Sequence, residues 1–172
     1  FSARAESAAE VTRYVRKAVS LPITIKLAPN VPDIGRIAQA VVAEGADAIT
    51  AINTVPAMLI DPYAGKPILT NKTGGLSGQA VKPVALRAVW EIAQMVDVPI
   101  IGTGGITSGL DAAEMIMAGA SLVGVGSAVV GAGAGVFARI AEELEEFMLE
   151  QGYRSLESMR GIALPGKGSL NV

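Results

Sequence analysis

The chain has 172 residues, 51% of them hydrophobic, which is enough for one well-buried domain. Its 14 basic and 16 acidic residues leave a net charge of −2, and no basic stripe interleaved with aromatics marks a nucleic-acid binder. It contains no cysteine and no histidine, which excludes disulfides, thiolate nucleophiles, imidazole catalysis and zinc sites of the usual ligands within this sequence; the missing disulfides fit a cytoplasmic protein.

The opening segment Phe1-Ser2-Ala3-Arg4-Ala5-Glu6 lacks a signal peptide's basic region and apolar core, and reads as a chain entered partway through. A first helix is predicted over 4–19. Ser7 and Glu10 have capping-box spacing, with a start nearer Ser2 as the alternative. Val11, Tyr14, Val15, Ala18 and Val19 repeat at helical spacing. A strand follows at 22–27, then a turn marked by Pro29 and Pro32. A helix over 33–44 stops at Gly45, and the next strand covers 48–53.

A long excursion, 54–80, is rich in Pro, Gly and Asn; loops of this length are usually functional or disordered. Within it, 67–70 is expected to form one arm of a hairpin. A helix begins near Lys82-Pro83, where proline is tolerated, and runs to Val96. The strand at 98–101 leads into Gly102-Thr103-Gly104-Gly105-Ile106. A short helix over 111–118 ends at Gly119. The strand at 121–125 leads into Gly124-Val125-Gly126-Ser127-Ala128. The apolar stretch 118–136 is interrupted by glycines and two serines, so it reads as a buried strand plus glycine turns and not as a membrane span. An acidic amphipathic helix over 137–151 stops at Gly152, a last short helix covers 155–160, and the tail 161–172 shows no strong pattern.

The order is a helix and then four βα units, which implies a parallel sheet with right-handed crossovers. The strands are nearly continuous apolar runs, as expected when both sheet faces are covered. A doubly wound sheet is one solution. The other is half of a (β/α)8 TIM barrel, whose two open strand edges would need a partner.

The two glycine turns carry the most chemical information. Each follows an apolar strand and precedes helical patterning. Glycines let backbone N–H groups approach an anion, and successive β/α units of this kind build a shared phosphate cup. Lys26 ends a strand whose Thr24, Lys26 and Ala28 share one face. At the C-terminal end of a barrel strand it points to the usual active-site face; the alternative is a lysine snorkelling to solvent or paired with a structural carboxylate. Asn53 with Thr54 offers donors and acceptors to a planar polar ligand, or closes the strand by an Asx turn. Gly74-Gly75-Leu76-Ser77-Gly78 is a further glycine-rich loop. Asp61, Asp97 and Asp111 are poor acid/base candidates, Asp111 reading as a helix cap. Glu142, Glu143, Glu145 and Glu146 read as a solvated helix face. Trp90 and Met95 read as packing residues.

Lys26-Leu27-Ala28-Pro29-Asn30-Val31, Ile52-Asn53-Thr54, Gly74-Gly75-Leu76-Ser77-Gly78 and the two glycine turns, in this order, resemble the C-terminal portion of the dihydroorotate dehydrogenase family. The resemblance runs from about Leu21 to Gly161, and is greatest to the NAD-linked class. It implies FMN as cofactor. Lys26 would lie beside the isoalloxazine ring, where a positive charge stabilises the anionic reduced flavin. Ile52 would touch the ring through its backbone, and Gly78 would line the site. Gly104, Gly105, Gly126 and Ser127 would hold the phosphate. Asn53 and Thr54 would bind dihydroorotate or orotate. The implied reaction removes a proton from substrate C5 and passes a hydride from C6 to flavin N5, in pyrimidine biosynthesis. The implied partner is an electron-transfer subunit carrying FAD and an iron–sulfur cluster, in a homodimer or heterotetramer.

One departure stands out. The family's general base, a Cys in the NAD-linked class, lies on a loop before the region matched here, and this sequence has no Cys. Ser127 stands where the family more often shows Thr. The chain alone is therefore expected to be inactive. Alternatives are another FMN barrel, such as relatives of dihydropyrimidine dehydrogenase or glutamate synthase, and a half-barrel that binds phosphate ligands without chemistry.

Overall fold

The computed structural model describes residues 4–166. The alternative helix start at Ser2 and the tail from residue 167 onward lie outside these residues. Helix α1 (Ala5–Ala18) leads to strand β1 (Thr24–Leu27), helix α2 (Ile34–Ala43) and strand β2 (Ala48–Ala51). The excursion then forms strands β3 (Val55–Ala57), β4 (Ile60–Asp61), β5 (Lys66–Pro67) and β6 (Gly74–Leu76). A 3₁₀ turn at Gln79–Val81 opens helix α3 (Lys82–Ala93). Strand β7 (Ile100–Thr103), helix α4 (Gly109–Met117) and strand β8 (Leu122–Gly124) follow, then helices α5 (Ala128–Ala132), α6 (Val136–Gln151) and α7 (Leu156–Met159).

Strands β1, β2, β7 and β8 form one parallel sheet, and they lie in it in chain order. This order decides between the two expected architectures. A doubly wound sheet reverses its strand order and so places helices on both faces. An order that never reverses, with right-handed crossovers, puts every connecting helix on one face. Helices α1 to α4 accordingly pack side by side, each against the next. The result is the arrangement of part of a (β/α)8 barrel.

Within this chain helices cover one face of the sheet, and the other is the face a closed barrel would enclose. Register places Lys26, Thr50, Ile101 and Leu122 at one level across the sheet. On this face Lys26 and Leu122 are exposed, and Thr50 and Ile101 are only half-buried. The opposite face carries Leu27, Ile49, Ala51, Ile100 and Gly102, all buried beneath the helices. Strands β1 and β8 pair on one side only among the described residues.

The core lies between sheet and helices. Leu27, Ile49, Val41, Val89, Ile92 and Met115 are all under 2% exposed. Asp33 caps α2, its Oδ1 accepting from Arg36 N at 2.9 Å, and Gly152 ends α6 as expected. The Ser7–Glu10 capping box does not form, because α1 begins at Ala5 and its N-cap is Arg4, whose side chain makes no capping bond. Helix α1 buries Ala8 and Thr12 against α2, while Val11, Tyr14, Val15 and Val19 remain exposed. At the far end of α1, Arg16 Nη2 donates to Val19 O and Leu21 O at 2.8 and 2.6 Å. Its Nη1 donates to Asp47 Oδ2, which also accepts from Ile23 N. Arg16→Ala is expected to cost about 1–2 kcal/mol, because it leaves these carbonyls to water and frees the entry to β1; urea unfolding checks this, and a change under about 0.3 kcal/mol would refute it.

Three further expectations change. The arm placed at 67–70 is shorter: Lys66 and Pro67 pair with Asp61 and Ile60, Ile68 N donates to Leu59 O at 3.0 Å, and the stem is the ladder of β3 with β6. The stretch 118–136 is not all strand and turn: it contains α5, and Leu122 and Val130 are 61% and 91% exposed. Glu143 stays at the surface but is not simply solvated, because its Oε2 accepts from Gly109 N at 2.6 Å and its Oε1 from Arg139. These bonds hold the Glu143 carboxyl below its ordinary value. Trp90 packs as expected and donates through Nε1 to Ala163 O at 3.0 Å, which ties the tail across α3. Met95 is 42% exposed beside Gly35. Among the described residues no helix is long and apolar enough to cross a membrane.

Candidate functional site at the C-terminal ends of the strands

Strands β1, β2, β7 and β8 run parallel, so the segments leaving their C-terminal ends converge. A cleft of about 160 Å³ lies there. It is lined by Lys26 from β1, Ile52, Asn53 and Thr54 beyond β2, Gly78 beyond β6, Gly104 and Gly105 beyond β7, and Gly126 and Ser127 beyond β8. All nine residues singled out from sequence therefore meet in one place. Leu76, Ser77, Val81, Thr103 and Ile106 complete the wall. Leu76, Ser77, Thr103 and Ile106 belonged to glycine motifs already marked; Val81 carried no signal distinct from core residues.

A larger cleft, about 340 Å³, opens at the other end of β7 and is lined by Asp97, Ser121 and Arg160 among others. None of the predicted residues reaches it. In parallel β/α folds ligands bind beyond the carboxyl ends of strands, so the smaller cleft is the candidate site.

Local structure explains each placement. The end of β2 is held between its neighbours: Ile52 N donates to Thr103 O at 2.9 Å and Asn53 N to Leu27 O at 2.8 Å. Ile52 is buried, while Asn53 and Thr54 stand exposed at the rim. Among the described residues the Asn53 side chain closes no Asx turn, and Lys26 has no carboxylate within ion-pair distance. Lys26 thus presents an unneutralised ammonium to the open face of the sheet.

The first glycine turn has to be glycine. Gly104 and Gly105 have φ of +137° and +78°, a region L side chains rarely adopt. A Cβ on Gly104 would lie 2.7 Å from Ala85 Cβ, and one on Gly105 would lie 2.7 Å from Lys82 Cβ and 2.9 Å from Lys82 N. The turn is pressed against the start of α3. The second turn differs: a Cβ on Gly126 would meet nothing within 4 Å, because that position faces the open cleft. Among the described residues the backbone N–H groups of Gly104, Gly105, Gly126 and Ser127 donate to no protein acceptor. Thr103 Oγ1 donates to Gly124 O at 2.9 Å, which ties the two turns together at their roots.

Beneath the first turn lies a charged cluster. Asp111 is 7% exposed. Its Oδ2 accepts from Thr107 N and Thr107 Oγ1 at 2.8 Å and from Ser108 N at 3.0 Å. Its Oδ1 accepts from Lys82 Nζ at 2.7 Å, and Lys82 also reaches Glu114 at 2.8 Å. Burial pushes the Asp111 carboxyl up, but the bonds from Lys82, Thr107 and Ser108 outweigh it and hold it at about 2. The same bonds to Asp111 and Glu114 raise the Lys82 ammonium. The expectation that Asp111 is the helix cap is corrected. Ser108 is the cap, accepting from Asp111 N, and Asp111 is its third-position partner in a capping box. Asp61 closes a local turn, accepting from Tyr63 N and Ala64 N.

The fold and the cleft define a β/α-barrel type of protein, with a site of glycine turns, one free lysine and a paired amide and hydroxyl at the C-terminal strand ends. The chain belongs to the dihydroorotate dehydrogenase family, whose model matches residues 1–148. It is 47% identical over 159 residues to the dihydroorotate dehydrogenase B (NAD(+)) catalytic subunit of Thermococcus kodakarensis, covering 92% of this chain and 53% of the relative. To the subunit of the same name from Methanocaldococcus jannaschii it is 50% identical over 154 residues, covering 90% of this chain and 50% of the relative. The chain thus spans about half the length of the relatives it matches.

Proposed function

We propose that this chain is the C-terminal, FMN-binding part of the catalytic subunit of an NAD-linked dihydroorotate dehydrogenase. The observation that carries the reading is the convergence of nine motif residues on one cleft in a member of this family.

The donor set fits FMN. A phosphate needs several N–H donors that have no other partner, and two adjacent turns supply four. Gly126 leaves room where a side chain would fill the cup. Gly104, Gly105, Gly126 and Ser127 hold the phosphate, Ile52 and Gly78 line the ring pocket, and Lys26 places its positive charge where the reduced ring carries negative charge. Bound there, FMN supplies the two-electron acceptor for the substrate's hydride. Asn53 and Thr54 bind the pyrimidine through an amide and a hydroxyl, which suits a ring of alternating C=O and N–H groups. In this reading the proton leaving the substrate goes to the Cys base that the resemblance to the NAD-linked class implies, and this sequence has no Cys. The small volume of the cleft, below the roughly 300 Å³ of typical ligand pockets, agrees with a wall contributed by the rest of a closed barrel. An electron-transfer subunit carrying FAD and an iron–sulfur cluster reoxidises the flavin in this reading.

Two measurements test it. The purified chain is given FMN, desalted and examined by visible spectroscopy; dihydroorotate turnover is then assayed for the chain alone and with the rest of the barrel supplied. Flavin retained by the completed barrel, with turnover there and none from the chain alone, is the expected result. A completed barrel that binds inorganic phosphate but no flavin would replace this reading with non-catalytic phosphate binding. Turnover by the chain alone would place the base within it.

A further inference from the structure

We propose that Asp111 is a positioning residue for the phosphate cup, fixing the segment from Gly104 to Ser108 so that the amides of Gly104 and Gly105 face the cleft. The inference rests on the FMN reading above but concerns a residue that touches no part of the cleft. The first glycine turn lies against the start of α3, with Gly105 packed on the backbone of Lys82. The turn is rooted by Thr103 O and the buried Ile106, but Gly104 and Gly105 make no backbone donation of their own among the described residues. Asp111 supplies the constraint from both sides. One carboxylate oxygen accepts three bonds from Thr107 and Ser108, the residues that end the turn. The other accepts from Lys82, the residue on which the turn rests. Gln79 Nε2 adds a bond to Thr107 Oγ1 at 2.8 Å, from the 3₁₀ turn just beyond Gly78. One carboxylate therefore clamps the loop after β7 to the first turns of both α3 and α4, and couples it to the other wall of the cleft.

Asparagine cannot do this work. Its single oxygen serves either Thr107 and Ser108 or Lys82, and its amide group then faces donors on the other side. Asp111→Asn is therefore expected to loosen the cup without filling it, whereas Glu114→Gln, which touches Lys82 only, is not. The experiment compares FMN with riboflavin, which lacks the phosphate, in the assembled barrel. In the wild type FMN binds more tightly than riboflavin. In Asp111→Asn the FMN affinity is expected to fall about tenfold with riboflavin affinity unchanged, and in Glu114→Gln neither changes. Amide hydrogen exchange over residues 102–108 is measured on the same proteins, and faster exchange is expected in Asp111→Asn alone. Thr107→Val, which removes the hydroxyl's bonds to Asp111 and from Gln79 but keeps the backbone bond to Asp111, takes its place if Asp111→Asn does not fold. An unchanged ratio of FMN to riboflavin affinity, or unchanged exchange in the loop, would overturn the proposal. A wild type that binds neither flavin would instead sink the FMN reading, and the exchange data would still decide the role of Asp111.

Discussion

Gly105→Ala is expected to cost about 3 kcal/mol of stability and to lose flavin retention, while Gly126→Ala leaves stability within about 0.5 kcal/mol and still weakens FMN. The two glycines sit in adjacent turns, yet their surroundings differ. At φ +78° an alanine at 105 pays roughly 1–2 kcal/mol for the left-handed backbone. Its Cβ would also press on Lys82 Cβ and N at 2.7 and 2.9 Å, which is backbone and helix start and not a flexible tip. Overpacking of that kind typically adds 1–3 kcal/mol. Position 126 has ordinary φ and open space, so a methyl there meets only the ligand. Denaturant unfolding reads the first effect, which for a domain of this size corresponds to roughly 6–12 °C in Tm. FMN titration reads the second. Equal stability of the two variants would mean that the packing of Gly105 on α3 is not a native contact.

Asp111→Asn is expected to lower stability at neutral pH by on the order of 2 kcal/mol and to flatten the acid limb of the stability curve. The folded carboxyl sits at about 2, below its ordinary 3.8. A depressed carboxyl contributes stability that is fully present above the ordinary value and disappears as pH falls toward the folded one. The loss therefore falls between about 3.8 and 2. Lys82 is shifted upward and stays charged throughout this range, so it does not contribute to the acid limb. Glu143 and Glu157 are also lowered, but both lie at the surface, where salt screens them. Repeating the titration at high salt separates them from Asp111, because the side chain of Asp111 is only 10% exposed. An acid limb of unchanged slope in the variant would assign the acid sensitivity elsewhere.

Much of the candidate site was legible because its chemistry depends on residue types that are costly elsewhere. Glycine at two left-handed positions and a lysine at a strand end have few structural excuses, and their order along the chain matched their order around the sheet. The strand count and the parallel order were legible for the same reason: each βα unit announces itself by an apolar run, a turn and a helical period. What stayed hidden was anything set by tertiary partners. Burial of one sheet face and exposure of the other cannot be read from Ile25, Ile49 and Ile101, which look alike in sequence. Glu143 looked like one more acid in an exposed run until the crossing of α4 and α6 brought Gly109 N to it. Asp111 was read as a local cap, and its longer reach to Lys82, 29 residues earlier, had no local signature.

The excursion after β2 has a consequence for engineering. Its two ends, Thr54 and Ser77, are cleft residues, and the β3–β6 ladder joins them at the base. The ladder isolates everything beyond it: the outer turn around Pro62 to Gly65 shares no residue with the cleft wall. Changes at that outer turn leave the cleft wall untouched, provided that Asp61, which accepts from Tyr63 N and Ala64 N, and the left-handed Gly65 are kept. A reporter peptide or fluorophore placed at Ala64 would ride on the rim of the site without entering it, whereas a single residue added at the base would slip the register of Val55 on Leu76 and move both walls at once.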